Sequence, residues 1–403
     1  MNNLKIMMVA GEASGDLHCA KLAEKLKELY PNLTLFGMGG KLMAQAGVQL
    51  DYDISDLSVM GITEVLGKLP LIISRLKGLK SLIDQRKPDA IVLVDFPDFN
   101  LRLLPFAHSR KVPIIYYIPP KAWAWRRKRA YVLAKYTSAI ASIFPFEAKV
   151  YKEAGANVHY VGHPLMDIVK PSFSKAKAYE KFHLDPNKPI IGLMPGSRRK
   201  EIKKLLGIMI DSARMIKTEI PDCQFILPVA HTISREMIPT HTDPLITIID
   251  STDVYNMMNI TDLIIMASGT ATLESTFMIA PMIVIYKVSS LTYAVISRLV
   301  NPEVKSTTLP NIIAGKMIVP ELLQDKASAG NISEIAIRML KNPDELENQK
   351  NELKKVRDQM GEPGAVERVA HLVIDTILVP PSNGRTDLES VPADKCHKDS
   401  KTH

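Results

Sequence analysis

Short apolar runs alternate with amphipathic stretches along most of this chain. Lys5–Ala10, Leu33–Phe36, Ile91–Val94, Ile114–Ile118 and Ala139–Ile143 are too short for helices and almost continuously apolar, the pattern of strands buried on both faces. Ile190–Leu193, Cys223–Val229, Ile246–Ile249, Leu263–Met266 and Met282–Ile285 repeat it in the second half, and helical periodicities such as His18–Leu29 lie between the runs. Strands separated by helices imply right-handed crossovers and parallel sheets. The expected fold class is α/β: two doubly wound, Rossmann-like domains facing across a cleft, with C-terminal helices at the domain junction. The first domain is expected at 1–167, a proline- and lysine-bearing linker at 168–189, the second domain at 190–342 and the closing helices at 343–380. Residues 381–403 hold almost nothing apolar and are expected to lack order.

Composition narrows the function without choosing it. At 403 residues the chain exceeds one ordinary core. An excess of 51 Lys+Arg over 43 Asp+Glu favours an anionic partner, whether nucleic acid, a phosphorylated substrate or an acidic lipid surface. Cys19, Cys223 and Cys396 are odd in number, far apart and without metal-ligand spacing, which points to a reducing compartment. The apolar run Ile6–Ala10 stops at Gly11-Glu12, too soon for a signal peptide. No run approaches the length of a membrane span, so any membrane association is expected to be peripheral.

Doubly wound domains bind ligands in the loops that leave the C-terminal ends of their strands. The first such loop, Gly11-Glu12-Ala13-Ser14-Gly15-Asp16, lacks the dinucleotide fingerprint, so a nicotinamide cofactor is not indicated. Glu12 and Ser14 can hold sugar hydroxyls or assist proton transfer there, or Ser14 and Asp16 simply cap a helix. Gly37-Met38-Gly39-Gly40 reads as a turn needing positive φ. Asp95 closes a buried strand, where partial desolvation suits a general base, the alternative being a carboxylate bonded to loop N–H groups. Asp98 reads as a solvated cap. Both tryptophans, Trp123 and Trp125, precede Arg126, Arg127, Lys128 and Arg129, an arrangement for stacking on bases, sugars or a membrane interface, or a plain helix start. His163 reads as structural.

Two loops of the second half read as phosphate cradles. Pro195-Gly196-Ser197 forms a tight turn between a buried strand and a helix, where free N–H groups and the helix dipole converge and Arg198 adds a planar cation. Ala267-Ser268-Gly269-Thr270 repeats the arrangement, and Glu274, one helical turn beyond Thr270, is placed to accept both hydroxyls of a ribose. Together they suit a nucleoside diphosphate, the alternative being ordinary strand-turn-helix corners with solvated arginines.

Gly11–Asp16, Val59-Met60-Gly61, Asp95–Asn100, Trp123–Arg126, Val161-Gly162-His163-Pro164, Leu193–Arg198, Ala267–Ala271 and Leu309-Pro310-Asn311 occur in the order seen in the lipid-A-disaccharide synthase family, which the chain resembles from Ile6 to Thr376. The resemblance implies a GT-B glycosyltransferase that joins UDP-2,3-diacylglucosamine to 2,3-diacylglucosamine 1-phosphate. It would form the β(1→6) disaccharide 1-phosphate and UDP with inversion, and would need neither metal nor cofactor. It implies a catalytic Asp95 and a required acid at Glu12. Donor binding falls to Gly196, Ser197, Arg198, Glu274 and Asn311, with Ser268, Gly269 and Thr270 beside the diphosphate. The first domain becomes the acceptor-side, membrane-facing one, with Ser14, Trp123, Trp125 and Arg126 on that side, while Lys121 receives no role. Nucleic acid is not an implied partner, a homodimer stays open, and the expected location is the cytoplasmic face of the inner membrane of a Gram-negative bacterium. The alternatives are another GT-B UDP-sugar transferase, a UDP-sugar epimerase, or a non-catalytic binder of nucleotides or nucleic acid.

Ile62–Ile83 is too apolar for a one-sided helix. Val65, Leu69, Ile72, Leu76, Leu79 and Ile83 form a stripe suited to the core, leaving Leu66, Leu71 and Ile73 beside Lys68, Arg75, Lys77 and Lys80. Pro70 is expected to break or start a helix in the middle, so that the Leu66–Ile73 corner protrudes and meets an anionic membrane surface, the alternative being a fully packed helix pair of the first domain.

Overall fold

The computed structural model describes residues 4–54, 62–122, 127–230, 233, 237–238, 245–288 and 306–378, without the side chains of 62–69. The first run of elements is β1 (Lys5–Val9), α1 (Ala13–Leu29), β2 (Thr34–Gly39), α2 (Lys41–Gln45), β3 (Gln49–Asp53), α3 (Ile62–Arg86), β4 (Ala90–Val94), α4 (Pro97–Ser109), β5 (Ile114–Tyr117), α5 (Lys128–Tyr136), β6 (Ala139–Ser142), α6 (Pro145–Glu153) and β7 (Val158–Tyr160). Two short helices, α7 (Leu165–Ile168) and α8 (Lys175–Phe182), lead into β8 (Ile190–Met194), α9 (Arg199–Glu219), β9 (Gln224–Val229), β10 (Ile246–Asp250), α10 (Val254–Met258), β11 (Leu263–Ala267), α11 (Ala271–Phe277), β12 (Met282–Tyr286) and β13 (Glu321–Leu323). Four further helices follow in the C-terminal part: Leu309–Ala314, Ala329–Lys341, Pro343–Gln359 and Ala365–Leu378.

The strands form two sheets, ordered β3-β2-β1-β4-β5-β6-β7 and β10-β9-β8-β11-β12-β13. The pairs from β3 to β6 and all pairs of the second sheet run parallel. Each sheet winds outward from its first strand and then reverses, at β1/β4 in one and β8/β11 in the other. Such a reversal sends the two loops apart and opens a crevice at the strands' C-terminal ends. Four of the chemistry-bearing loops read from the sequence follow β1, β4, β8 and β11.

Alternate residues of the second sheet enter two different cores. Ile190, Ile264 and Met282 pack with Ala178 and Phe182 of α8, whereas Ile191, Ile265 and Ile283 pack with Leu205 and Met209 of α9. Both faces are therefore apolar, which is why these strands read as continuous runs.

The chain divides into two compact units. Residues up to Pro119, Val132–Ala141 and those from Val369 onward make one; Pro120–Tyr131 and Ser142–Arg368 make the other. The segment 168–189, expected as a linker, instead carries α8, whose Ala178 and Phe182 are buried beside Leu184 in the second unit's core. Lysines and prolines had masked that apolar spacing. Asn256 fastens the start of this segment by accepting from the backbone N–H groups of Ser172 (2.9 Å) and Phe173 (3.0 Å).

Pro70 does not break its helix: α3 runs unbroken from Ile62 to Arg86. A mid-helix proline costs about 3 kcal/mol, which burial of Leu79 and Ile83 and stacking of Arg75 on Tyr52 offset. β3, β7 and β13 were not read from the sequence because they are short strands at the ends of their sheets. Trp123, Trp125, Arg126 and the tail beyond Pro381 lie outside the described residues, as does the side chain of Leu66.

Candidate active site

In the first unit, the loop after β1 is built around two contacts. Asp16, almost wholly buried, accepts from the N–H groups of Gly40 (2.7 Å), Leu42 (3.1 Å) and Met43 (3.1 Å). It thus caps α2 rather than its own helix, and Gly40 must be glycine because a Cβ there would stand 2.6 Å from the Asp16 carboxylate. Gly11 is covered by the Phe96 ring, whose atoms would lie 2.0–2.4 Å from any Cβ at that position. The Gly11–Asp16 loop and the loop after β4 are therefore seated on each other, with Glu12 and Ser14 exposed at the start of α1. His18, on the same helix, meets Tyr117 edge-on; burial lowers its pKa to about 4, so its imidazole is neutral.

Asp95 lies one residue past the end of β4 and is half-buried. It and Phe96 both adopt left-handed backbone, with φ of 47° and 46°. A non-glycine residue there costs of order 1 kcal/mol or more, and such strain persists only where surrounding bonds over-determine it. Those bonds are present. The Asp95 N–H donates to Tyr117 O at 3.2 Å, and the Asp95 carbonyl accepts from Asn100 Nδ2 and from Tyr116 Oη, each at 2.7 Å. Asp98 is exposed in the first turn of α4.

The second unit holds a cleft of about 380 Å³ where the loops after β8 and β11 converge. Gly196, Ser197 and Arg198 line it from one side and Ser268, Gly269 and Thr270 from the other, with Glu274 between them. Gly196 has φ of 104°, and a Cβ on it would lie 2.3 Å from Glu201 Oε2. Arg198 is the N-cap of α9; its guanidinium pairs with Glu201 Oε1 at 3.1 Å, and its N–H donates to Glu201 Oε2 at 3.3 Å. Burial pushes the Glu274 carboxyl up to about 6, and burial, joined by the Glu274 charge, raises the Tyr255 hydroxyl. Tyr255, Ser251 and Glu201 also line the cleft and were missed in the sequence. The loop after β10 should have drawn notice to Ser251, since it too leaves a strand's C-terminal end.

Asn311 stands apart from the cleft. Its Nδ2 donates to Val319 O (2.9 Å) and Glu321 Oε1 (2.6 Å), and its Oδ1 accepts from the N–H groups of Ile318 (2.7 Å) and Val319 (2.9 Å). These bonds use the whole capacity of a carboxamide. Through these bonds Asn311 ties the helix Leu309–Ala314 to β13. Glu321 completes that knot by accepting from Thr307 and Thr308, bonds that hold its carboxyl below the usual range. His163, also buried, accepts from Leu165 N–H through Nδ1 and packs at a tilt between Phe144 and Phe277, with ring centroids 5.2 and 5.6 Å away.

The family model described as lipid-A-disaccharide synthetase matches residues 6–373. The chain belongs to the lipid-A-disaccharide synthase family. It is 41% identical over 377 residues to the lipid-A-disaccharide synthase of Geobacter metallireducens, covering 93% of this chain and 98% of that one. It is 36% identical over 378 residues to that of Coxiella burnetii, covering 94% and 100%. Among solved structures it is similar to a UDP-GlcNAc 2-epimerase from Neisseria meningitidis bound to UDP-GlcNAc (TM-score 0.62, 14% identity, 92% of this chain and 100% of that one). It is similar also to a glycosyltransferase from Rickettsia africae (TM-score 0.55, 15% identity, 94% and 100%). These likenesses show the fold, two parallel-sheet α/β units of the GT-B class, and family membership makes the chain a glycosyltransferase.

Proposed function

We propose that the chain joins UDP-2,3-diacylglucosamine to 2,3-diacylglucosamine 1-phosphate, giving the β(1→6) disaccharide 1-phosphate and UDP with inversion at the donor's anomeric carbon. The observation that carries this reading beyond the family assignment is the convergence of Ser197, Arg198, Ser268, Thr270 and Glu274 on one cleft. Glu274 takes the ribose hydroxyls; the Gly196–Arg198 turn and the Ser268–Thr270 turn take the diphosphate. In the first unit, Asp95 accepts the proton of the acceptor's 6-hydroxyl as that oxygen bonds to the anomeric carbon and the bond to UDP breaks, with Glu12 and Ser14 on the acceptor's side. Negative charge then grows on UDP, where Arg198 and the positive end of the α9 dipole stabilise it.

The acceptor is held in a bilayer. Among the described residues, no helix is long and apolar enough to cross a membrane. The peripheral contact is assigned to α3, where Ile73 is 43% exposed and Leu71 partly so, next to exposed Lys77. Arg75 and Lys80, expected to ring this patch, lie over the rings of Tyr52 and Phe106 instead. Mass spectrometry of the product tests the reaction. The tetraacyl disaccharide 1-phosphate is expected, and an epimerised sugar nucleotide formed without acceptor would replace this reading with that of an epimerase.

A further inference from the structure

The Asp95 turn shows more than a strained backbone. Both peptide groups flanking its Cα are pinned. The preceding one is held through the Asp95 N–H, which donates to Tyr117 O, and the following one through its carbonyl oxygen, whose two lone pairs are taken by Asn100 Nδ2 and Tyr116 Oη. Fixing N, Cα and C in this way fixes the direction of the Cα–Cβ bond, and hence the arc the carboxylate can sweep. Neither donor is a surface side chain that found a partner by chance: Tyr116 and Asn100 are both fully buried. Asn100 spends its second amide hydrogen on Val94 O at 3.4 Å, so it binds the last carbonyl of β4 and the first one beyond it together. The same turn drives Phe96 over Gly11 and stacks it on Phe99, with ring centroids 5.3 Å apart, which seats the Glu12 loop against the Asp95 loop.

We propose that Tyr116 and Asn100 are positioning residues for Asp95: by holding its carbonyl they keep the left-handed Asp95–Phe96 pair in place and aim the carboxylate. This rests on the reading of Asp95 as the base. Without them the strained pair relaxes toward ordinary extended backbone and the carboxylate turns away from the acceptor hydroxyl. Neither residue touches substrate.

The test uses Tyr116→Phe, which removes one oxygen and keeps the buried ring, and Asn100→Ala, with Asp95→Asn as the control. All are assayed on the full chain with UDP-2,3-diacylglucosamine and 2,3-diacylglucosamine 1-phosphate, normalised to natively folded protein by near-ultraviolet circular dichroism. Misaiming by an ångström costs about tenfold to a hundredfold. The expected result is a fall of that size in kcat for Tyr116→Phe, with the acceptor KM within about twofold of wild type. The acidic limb of its pH–rate profile is expected to move, because the Asp95 carboxylate takes up a different environment. Asn100→Ala is expected to behave alike among its folded molecules. The proposal is overturned by a kcat within twofold of wild type per folded molecule, by a change confined to KM, or by an unmoved pH profile. Wild-type transfer by Asp95→Asn would instead remove the base assignment itself, so the two failures are distinguishable.

Discussion

The Arg198 guanidinium stands 3.1 Å from the Glu201 carboxylate, one helical turn along α9, at the rim of the cleft assigned to UDP. The pair is exposed on the arginine side, so it is worth at most about 1 kcal/mol and yields readily to a diphosphate. Glu201 thereby holds the cation at the cradle.

Arg198→Ala is expected to lower kcat/KM on the order of a hundredfold, the loss of about 3 kcal/mol of stabilisation from a leaving anion. Glu201→Gln keeps the oxygen that accepts the Arg198 N–H and removes a negative charge from the rim; it is expected to tighten UDP by about twofold to fivefold. Calorimetry with UDP and steady-state rates check both. Retention of a third or more of the wild-type rate in Arg198→Ala would remove the arginine from the cradle.

Glu274 gives the donor site a pH dependence with a definite sign. Its carboxyl is pushed up by burial to about 6 from an ordinary 4.5. In the unliganded protein the buried charge opposes folding, so the contribution of this group to stability falls as pH rises from about 4.5 through 6. A ribose with two hydroxyls favours the ionised form, so UDP affinity is expected to rise over the same window and binding near pH 5.5 to release a proton. Calorimetry in buffers of different ionisation enthalpy reads that proton directly. Glu274→Gln should bind more weakly and release fewer protons than the wild type, any remainder coming from the UDP terminal phosphate, whereas equal release by the two proteins would reverse the assignment.

Much of this was legible in the sequence for a physical reason. Strands buried on both faces must be apolar at every position, so β1, β4, β8 and β11 announce themselves, and the loops that follow them carry Glu12, Asp95, Arg198 and Glu274. Edge strands need no such pattern, and β3, β7 and β13 went unseen. Long-range bonds leave no periodic trace at all. That Asp16 caps α2, that Asn311 is saturated by β13 and its approach, and that Tyr116 reaches the Asp95 carbonyl are facts of tertiary placement. Pro70 misled because a local rule was overridden by packing further along α3.

Asn311→Ala leaves two N–H groups and a carbonyl without their partner, while Glu321 Oε1 keeps the Thr308 hydroxyl, a loss of about 2–4 kcal/mol. The expected signature is a Tm several degrees lower, with UDP affinity of the folded protein changed by less than tenfold. A variant of unaltered Tm that no longer binds UDP would place Asn311 in the donor site.

Leu71→Ser combined with Ile73→Ser is expected to weaken co-sedimentation with anionic vesicles while near-ultraviolet circular dichroism stays native, and salt should weaken wild-type binding without abolishing it. Undiminished sedimentation of the double variant would move the membrane contact off α3.

Asp95→Asn is expected to abolish transfer and leave UDP binding nearly intact, since the base and the UDP cleft belong to different units, while Asp98→Asn, at an exposed position on α4, should be mild. Equal losses in the two variants would show the base to be elsewhere.

The central claim is most directly tested by following UDP release from UDP-2,3-diacylglucosamine. Release is expected to begin only when 2,3-diacylglucosamine 1-phosphate is added, one UDP for each disaccharide formed, and to be absent from the Asp95→Asn protein. Release at the same rate without the acceptor, or none in its presence, would contradict the account.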